Sequence, residues 1–169
     1  MTILNSTEAD IPEIFRLYKI AAAYQHTKGN VVVWPDFDPF LIETEINENR
    51  QWKMIIDGKI ACVWATTFSD EQIWEERNGD SAVYIHRIAT DTDIRGQNLV
   101  SRIVEWAKVY AAENKLDYVR LDTLGDNTRL IEHYTRAGFT FLGIFDLKDT
   151  SGLPAHYQGM PACLFEIKI

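Results

Sequence analysis

The residues best suited to chemistry in this sequence surround one short turn within residues 94–107. The sequence IRGQNLVSRIVEWA runs from that turn directly into an amphipathic helix. The start of a helix presents unpaired N–H groups and the positive end of its dipole, and both attract a phosphate group. Arg95 adds a guanidinium suited to phosphate oxygens, and Gly96 allows the chain to turn tightly. An ordinary turn between a strand and a helix is the alternative.

Other phosphate-binding and metal-binding motifs are missing from the sequence. It contains no Walker A motif, and no GxGxxG sequence follows a predicted strand. The four histidines are scattered, and neither a CxxC pair nor an HExxH sequence occurs. We therefore expect a protein without a metal site.

Hydrophobic periodicity predicts the elements that must position the turn. Their order is strand, two helices, three strands, helix, strand, helix and two strands. Asp57 and Gly58, between two alternating apolar runs, predict a type I′ hairpin. The strand–helix–strand unit in the middle requires a parallel pair and the hairpins add antiparallel strands, which gives a mixed α/β (α+β) sheet. Residues 69–81, SDEQIWEERNGDS, are predicted to form a polar loop, either a lid or simply solvated.

Length and composition favour one domain spanning residues 1–169, with 46% apolar residues and a formal net charge of -8. The negative charge argues against a nucleic-acid partner and is compatible with a cationic substrate. Cys62 and Cys163 lie in apolar runs and are expected to be small core residues. The sequence shows no signal peptide and no apolar stretch of ~20 residues, so we expect a cytoplasmic protein without a membrane partner.

Two motifs within residues 84–139 carry a family resemblance. Residues 127–139, NTRLIEHYTRAGF, match the pattern N-x6-Y-x3-G-F, and residues 95–100, RGQNLV, lie where the same family has R-x-x-G-x-G or R-x-x-G-x-A. In this order and spacing the segment resembles the acetyl-CoA core of the GNAT N-acetyltransferase superfamily. Asn98 and Val100 replace small residues of that pattern, but asparagine tolerates a left-handed backbone and binds phosphate. We therefore expect an altered but usable cofactor loop.

The resemblance implies a GNAT-like fold with a central mixed sheet of about seven strands flanked by about four helices. Splayed parallel strands at residues 82–90 and 118–124 would hold acetyl-CoA between them. Asn127 would contact the pantetheine arm, with helix capping as the alternative. The cofactor-binding residues implied in this way are Ile88, Ala89, Thr90, Arg95, Gly96, Gln97, Asn98, Leu99, Val100, Asn127 and Tyr134.

Four residues receive catalytic roles through the resemblance. The Ile88 N–H would polarise the thioester carbonyl, and Tyr134 would protonate the departing thiolate. A core tyrosine of an amphipathic helix is the alternative for Tyr134. His86 and Tyr84 alternate along one strand and are the candidate bases, of which histidine is the better. A hydrogen-bonded structural histidine and a proton path through water are the alternatives.

The acceptor site is expected in the segments WPDFDPF and GLPAHYQG. Aromatic faces near carboxylates suit a cationic amine, which selects Trp34, Phe37, His156 and Tyr157, although each could simply anchor its loop. The resulting hypothesis is acetyl transfer from acetyl-CoA to a primary amine of a small molecule. The alternative is a non-catalytic module that senses acyl-CoA or binds a protein. An exposed C-terminal strand leaves a homodimer open.

Overall fold

The computed structural model describes residues 1–27, 32–94 and 97–169. Its strands form a seven-stranded mixed sheet in the order β1-β2-β3-β4-β5-β7-β6. The predicted mixed sheet is therefore confirmed. The strands are β1 (Thr2–Asn5), β2 (Gln51–Ile56), β3 (Lys59–Thr67), β4 (Ala82–Thr90), β5 (Tyr118–Leu124), β6 (Thr140–Phe145) and β7 (Ala162–Lys168).

Five α-helices accompany the sheet in the described residues, where the sequence predicted about four. The additional helix is α3, which lies in the segment predicted to be a polar loop. That prediction was wrong because Ile73 and Trp74 are both buried and fold the segment into a helical turn. The helices are α1 (Ile11–Thr27), α2 (Pro39–Asn47), α3 (Glu71–Trp74), α4 (Leu99–Glu113) and α5 (Thr128–Arg136).

Local sequence signals account for several element ends. Thr7 and Asp10 form a capping box before α1, and the Asp38 side chain accepts a hydrogen bond from the Phe40 N–H at the start of α2. Asp57 and Gly58 have φ angles of 49° and 75°, the two left-handed residues that a type I′ turn requires. The predicted hairpin between β2 and β3 is thus confirmed.

The chain forms two compact units, each assembled from two separate stretches. The first unit contains Met1–Thr66 and His86–Leu99, and the second contains Thr67–Ile85 and Val100–Ile169. The single domain expected from the sequence stays a prediction.

The core of the first unit lies where α1 and α2 pack against β3 and β4. Arg16 of α1 forms an ion pair with Asp91, which directly follows β4, and the Asp91 N–H donates to the Ala61 carbonyl at 2.9 Å. These contacts fasten the end of β4. The buried core residues are Ile14, Leu17, Tyr18, Phe37, Ile42, Ile46, Val63 and Ala89.

The core of the second unit joins α3, β4 and β7. The parallel register of β4 and β5 runs from the Ala82–Tyr118 pair to the Tyr84–Arg120 pair. β5 then pairs antiparallel with β7 along its length. The buried members of this cluster are Ile73, Trp74, Ala82, Tyr84, Ala162 and Leu164.

Both cysteines are free and buried, as the sequence predicted. Burial raises the pKa of the Cys62 thiol well above its usual value, and it also raises the pKa of Cys163. Neither thiol is therefore poised as a nucleophile. Among the described helices, none is both long and apolar enough to cross a membrane.

Candidate functional site

Gln97 and Asn98 are the residues described in the turn directly before α4. Asn98 has a φ of 54°, in the left-handed region that the family pattern fills with glycine. Gln97 and Asn98 are exposed, whereas Leu99 is buried and begins α4. Asparagine therefore reproduces the backbone of the glycine it replaces. Arg95 and Gly96, also predicted to bind the cofactor, lie outside the described residues.

β4 contains a left-handed residue immediately before the predicted oxyanion donor. Arg87 has a φ of 52°, which is unusual for a non-glycine residue inside a strand. A left-handed residue inside a strand re-aims the backbone groups that follow it, as the extra residue of a β-bulge does, and this position is called the β4 bulge. Ile88 and Thr90 are half-buried and Ala89 is buried in the core of the first unit. Three residues predicted to bind the cofactor thus follow the bulge directly.

His86 occupies an environment that disfavours its charged form. Burial is the main cause, and the neighbouring cations Arg87 and Arg50 add to it, so that the pKa of His86 falls to about 3. The imidazole is consequently neutral at physiological pH. A histidine with so low a pKa accepts a proton weakly, which counts against its predicted role as general base.

Trp34 and Phe37 meet around Tyr18 in the first unit. The three rings pack edge to face, with centroids 5.2 to 5.7 Å apart. The Arg87 guanidinium lies over the Phe37 ring, 5.4 Å from its centroid. Because a cation of the protein already covers this face, Phe37 has the character of a core anchor more than of a free aromatic surface for an amine.

A buried polar network holds Arg87 in place. Its Nη2 pairs with Glu45 Oε1, and its Nε donates to the Tyr18 hydroxyl oxygen at 3.4 Å. Glu45 is only 4% exposed, and its second oxygen, Oε2, has no hydrogen-bond partner among the described residues. Arg50 Nη1 lies 3.9 Å from the same Glu45 Oε1. This network was not predicted from the sequence, although a glutamate on the apolar face of a short helix is a signal for it.

In the second unit, Asn127 caps α5. Its Oδ1 accepts hydrogen bonds from the N–H groups of Arg129 at 3.1 Å and Leu130 at 3.3 Å. Asn127 therefore caps the helix, which is the alternative to a pantetheine contact that the sequence left open. No described residue binds the Asn127 side-chain nitrogen, so the amide retains a donor in addition to its role as a cap.

Tyr134 packs on the inner side of α5. Its ring lies edge-on to Phe139, with centroids 6.1 Å apart, and 5.4 Å from Phe165 of β7. The side chain is half-buried, so the apolar contacts orient the ring without enclosing it fully. Val100, in the first turn of α4, is half-buried as well.

Tyr84 lies in the core of the second unit. It is 0% exposed, its ring contacts Trp74, and its hydroxyl accepts a hydrogen bond from Arg120 Nη1 at 3.4 Å. Burial raises the pKa of Tyr84 in spite of the nearby guanidinium. This environment is that of a structural residue, and it does not favour the role of general base that the sequence analysis considered.

Two acidic residues of the second unit, Asp70 and Asp122, lie close together beside Tyr157. Carboxylate oxygens of Asp70 and Asp122 approach within 4.8 Å, and the Tyr157 hydroxyl donates to Asp122 Oδ2 at 3.5 Å. Burial, followed by the charge of Asp122, raises the pKa of Asp70 to about 8. Burial raises the pKa of Asp122 to about 6, although the Tyr157 hydrogen bond opposes this shift. His156 stacks on Tyr157 with ring centroids 4.7 Å apart.

Each unit brings together part of the predicted site. The first contains the β4 bulge and the loop before α4, and the second contains the cap of α5 and the tyrosine that follows it. Sequence reasoning missed the polar network around Arg87 and the carboxyl pair of Asp70 and Asp122. Asp122 carries a signal that could have been used, since it is an acidic residue inside a strand whose sequence is mostly apolar and whose preceding three residues are buried.

Comparison with known proteins identifies the family of the chain. The model of the acetyltransferase (GNAT) family matches residues 13–139. An uncharacterized N-acetyltransferase, YesJ of Bacillus subtilis, is 30% identical over 74 residues, which cover 44% of this chain and 41% of YesJ. The match therefore spans about two fifths of the length of that relative.

Solved structures show the same fold. A GNAT-family acetyltransferase from Listeria monocytogenes aligns with a TM-score of 0.78 at 22% identity, covering 99% of this chain and 94% of its own. The structure of yncA, a putative acetyltransferase from Salmonella typhimurium with its cofactor acetyl-CoA, aligns with a TM-score of 0.68 at 13% identity, covering 99% and 93%. Since the family model matches more than half of the chain and both characteristic motifs lie within the matched residues, the protein belongs to the acetyltransferase (GNAT) family.

Proposed function

We propose that the protein transfers an acetyl group from acetyl-CoA to a primary amine of a small-molecule acceptor. The observation that carries the proposal is the left-handed Asn98 at the start of α4, within the segment matched by the family model. This conformation allows the first N–H groups of α4 to converge on a phosphate, even though the usual glycine is absent.

Two segments would contact the cofactor. Gln97, Asn98 and Leu99 would hold the pyrophosphate, together with Arg95 and Gly96 before them and Val100 in the first turn of α4. Backbone groups of Ile88, Ala89 and Thr90 would bind the pantetheine arm beyond the β4 bulge. Acetyl-CoA supplies an acetyl group already activated as a thioester.

Ile88 and Tyr134 are the residues proposed to act on the thioester. The Ile88 N–H would donate to the carbonyl oxygen as negative charge develops there, an interaction worth roughly 3 kcal/mol. The Tyr134 hydroxyl would give its proton to the departing thiolate. A phenol has a pKa of ~10, close to that of a thiol, so this transfer needs no large pKa shift. Asn127 would contribute its side-chain nitrogen to the pantetheine arm.

The amine must release a proton during acetyl transfer. We infer that His86 is not the base that accepts this proton. The lowered pKa of His86 leaves it neutral and weakly basic. We propose that His86 orients a water molecule which carries the proton to solvent, so that His86 does not itself set the pH dependence. Acceptor contacts from Trp34, His156 and Tyr157 remain part of the proposal, whereas Phe37 would act by supporting Arg87.

Calorimetric titration with acetyl-CoA tests the cofactor site, with ATP and desulfo-CoA as controls. Micromolar binding of acetyl-CoA and desulfo-CoA without comparable binding of ATP supports the site. The next measurement is thiol release with a panel of primary amines. Tight binding of acetyl-CoA without turnover on any amine would favour a non-catalytic acyl-CoA sensor. Absence of binding at millimolar acetyl-CoA would contradict both functions and favour a protein-interaction module.

A further inference from the structure

Arg87 has a fixed guanidinium with an unused hydrogen-bonding edge. Its Nε–H and one N–H of Nη2 point toward Tyr18 and Glu45, and these two contacts occupy one edge of the planar group. The adjoining edge consists of Nη1 and the outer hydrogen of Nη2. Nη1 has no hydrogen-bond partner among the described residues. This edge is the fork that binds a carboxylate through two parallel hydrogen bonds.

The side chain is held rigidly enough to serve as a recognition group. Glu45 and Tyr18 fix the guanidinium in its plane, and the Phe37 ring lies against one of its faces. The Arg87 side chain nevertheless keeps 16% of its surface exposed. A ligand therefore meets a pre-oriented cation and loses little rotational freedom of the side chain on binding.

Arg50 provides the contrast, because it also approaches Glu45 but has no free edge. Its Nε and Nη2 bind Glu48, and its Nη1 donates to the Thr66 carbonyl at 2.9 Å. All three nitrogens of Arg50 are thus occupied within the protein. The two arginines share one buried carboxylate, and Arg87 alone of this pair has donors available for another molecule.

The free donors of Arg87 also favour an anion. The charges of the network itself are balanced, because Glu45 and Glu48 are the partners of Arg87 and Arg50. The free edge of Arg87, however, presents only N–H donors of a guanidinium, which repel a cation and match the two oxygens of a carboxylate.

Arg87 also has a suitable place in the chain. It is the left-handed residue of the β4 bulge and precedes Ile88, whose N–H is proposed to bind the thioester carbonyl. An anion on its free edge would belong to a molecule bound beside the reacting thioester. The acceptor is the molecule that must reach this position during acetyl transfer.

We propose that Arg87 binds an anionic group of the acceptor, so that the enzyme prefers amines that also carry a carboxylate, such as amino acids. The inference rests on the proposed acetyl transfer and specifies its substrate class. Glu45 and Tyr18 are positioning residues in this scheme, because they act by orienting Arg87.

The test compares common amino acids with their primary amides as acceptors, which differ only in the carboxylate. For the wild type we expect kcat/KM to be at least about 10-fold higher for the preferred acid than for its amide. Arg87→Met should abolish this preference by raising KM for the acid, so that the acid and its amide have similar kcat/KM. Arg50→Met is the matched control and should retain the preference.

Arg87→Met leaves Glu45 without its main partner, which destabilises the fold. A second set of variants therefore keeps the test decisive if Arg87→Met does not fold. Arg87→Met combined with Glu45→Met removes the whole ion pair, and Arg87→Lys keeps a positive charge without the fork. The double variant should lack the preference, and the lysine variant should recover only part of it. Thermal unfolding of each variant shows whether it is folded under the assay conditions.

The outcomes separate this inference from the proposed function. Equal turnover of acids and amides by the wild type, or equal loss of preference in the Arg50 and Arg87 variants, would overturn the inference and leave acetyl transfer intact. Absence of turnover with every acceptor would contradict acetyl transfer. In that case calorimetry with N-acetyl amino acids decides: binding that Arg87→Met abolishes supports the anion site, and no binding to the wild type overturns it.

Discussion

The carboxyl pair of Asp70 and Asp122 makes a specific prediction about stability and pH. Both pKa values are raised from the ordinary 3.8, to about 8 for Asp70 and about 6 for Asp122. A carboxyl group with a raised pKa contributes stability that is fully present below its unfolded pKa. This contribution is lost as the pH rises through the folded pKa. The folded protein should therefore become less stable between about pH 4 and pH 8 through these two groups.

The window from pH 6 to pH 8 reports mainly on Asp70, because Asp122 is already half ionised at pH 6 in the folded state and completes its ionisation early in this window. One pKa unit corresponds to about 1.4 kcal/mol, so two pH units give at most about 2.7 kcal/mol. Partial solvation and coupling within the pair reduce the effect that we expect to about 2 kcal/mol. Asp70→Asn replaces the carboxyl with a neutral group of the same shape. The variant should lack this loss of stability between pH 6 and pH 8.

Urea denaturation at constant ionic strength measures the effect as the free energy of unfolding at half-unit pH intervals. Asp126→Asn, at an exposed position after β5, is the matched control and should give a curve parallel to the wild type. The Asp70 main-chain N–H donates to Asn78 Oδ1 at 2.6 Å, and this bond survives the substitution. Parallel curves for the wild type and Asp70→Asn from pH 6 to pH 8 would refute the raised pKa of Asp70.

Three further predictions concern the cofactor site and the core. Tyr134→Phe should lower kcat by about 100-fold or more while KM for acetyl-CoA changes little, and unchanged thiol release would remove Tyr134 from the mechanism. Asn98→Gly should change the calorimetric affinity for acetyl-CoA less than about three-fold, because asparagine already adopts the required conformation. Asn98→Val should destabilise the fold by about 1 kcal/mol or more in urea and weaken acetyl-CoA binding. Equal affinities of the wild type, Asn98→Gly and Asn98→Val for acetyl-CoA would contradict the importance of the left-handed conformation at residue 98. Arg120→Met should destabilise the protein by about 3 kcal/mol in urea unfolding, because Asp80 and Glu166 lose their shared guanidinium. The double variant Arg120→Met with Glu166→Gln should lose less stability than Arg120→Met alone, and an equal or greater loss would contradict this ion pairing.

Sequence reasoning succeeded where short-range chemistry decides the conformation. The left-handed pair at Asp57 and Gly58, the cap at Asn127 and the stop at Gly138, which has a φ of 107°, follow from preferences of single residues. Helical periodicity likewise predicted α4, because one face of this helix must be buried, and the β-branched and aromatic residues of β4 predicted a strand. These features need no knowledge of distant parts of the chain.

The segment around α3 shows where such reasoning fails. Its residues are mostly polar, which predicts a loop, yet Ile73 and Trp74 are enough to bury one side of a short helix. Two apolar residues give no detectable period in a window of this length. Their partners belong to β4 and β7, so the burial that forms the helix depends on contacts distant in sequence.

The sequence by itself determined the family, the mixed sheet and the candidate cofactor loop, since motif spacing and periodicity are written locally along the chain. Only the tertiary structure decided the chemical state of the ionisable residues. The pKa values of His86, Asp70 and Asp122 depend on burial and on charges from other elements, which no local pattern records. The same holds for Arg87, because the contacts with Glu45 and Tyr18 that leave one edge of its guanidinium open come from helices far away in the sequence.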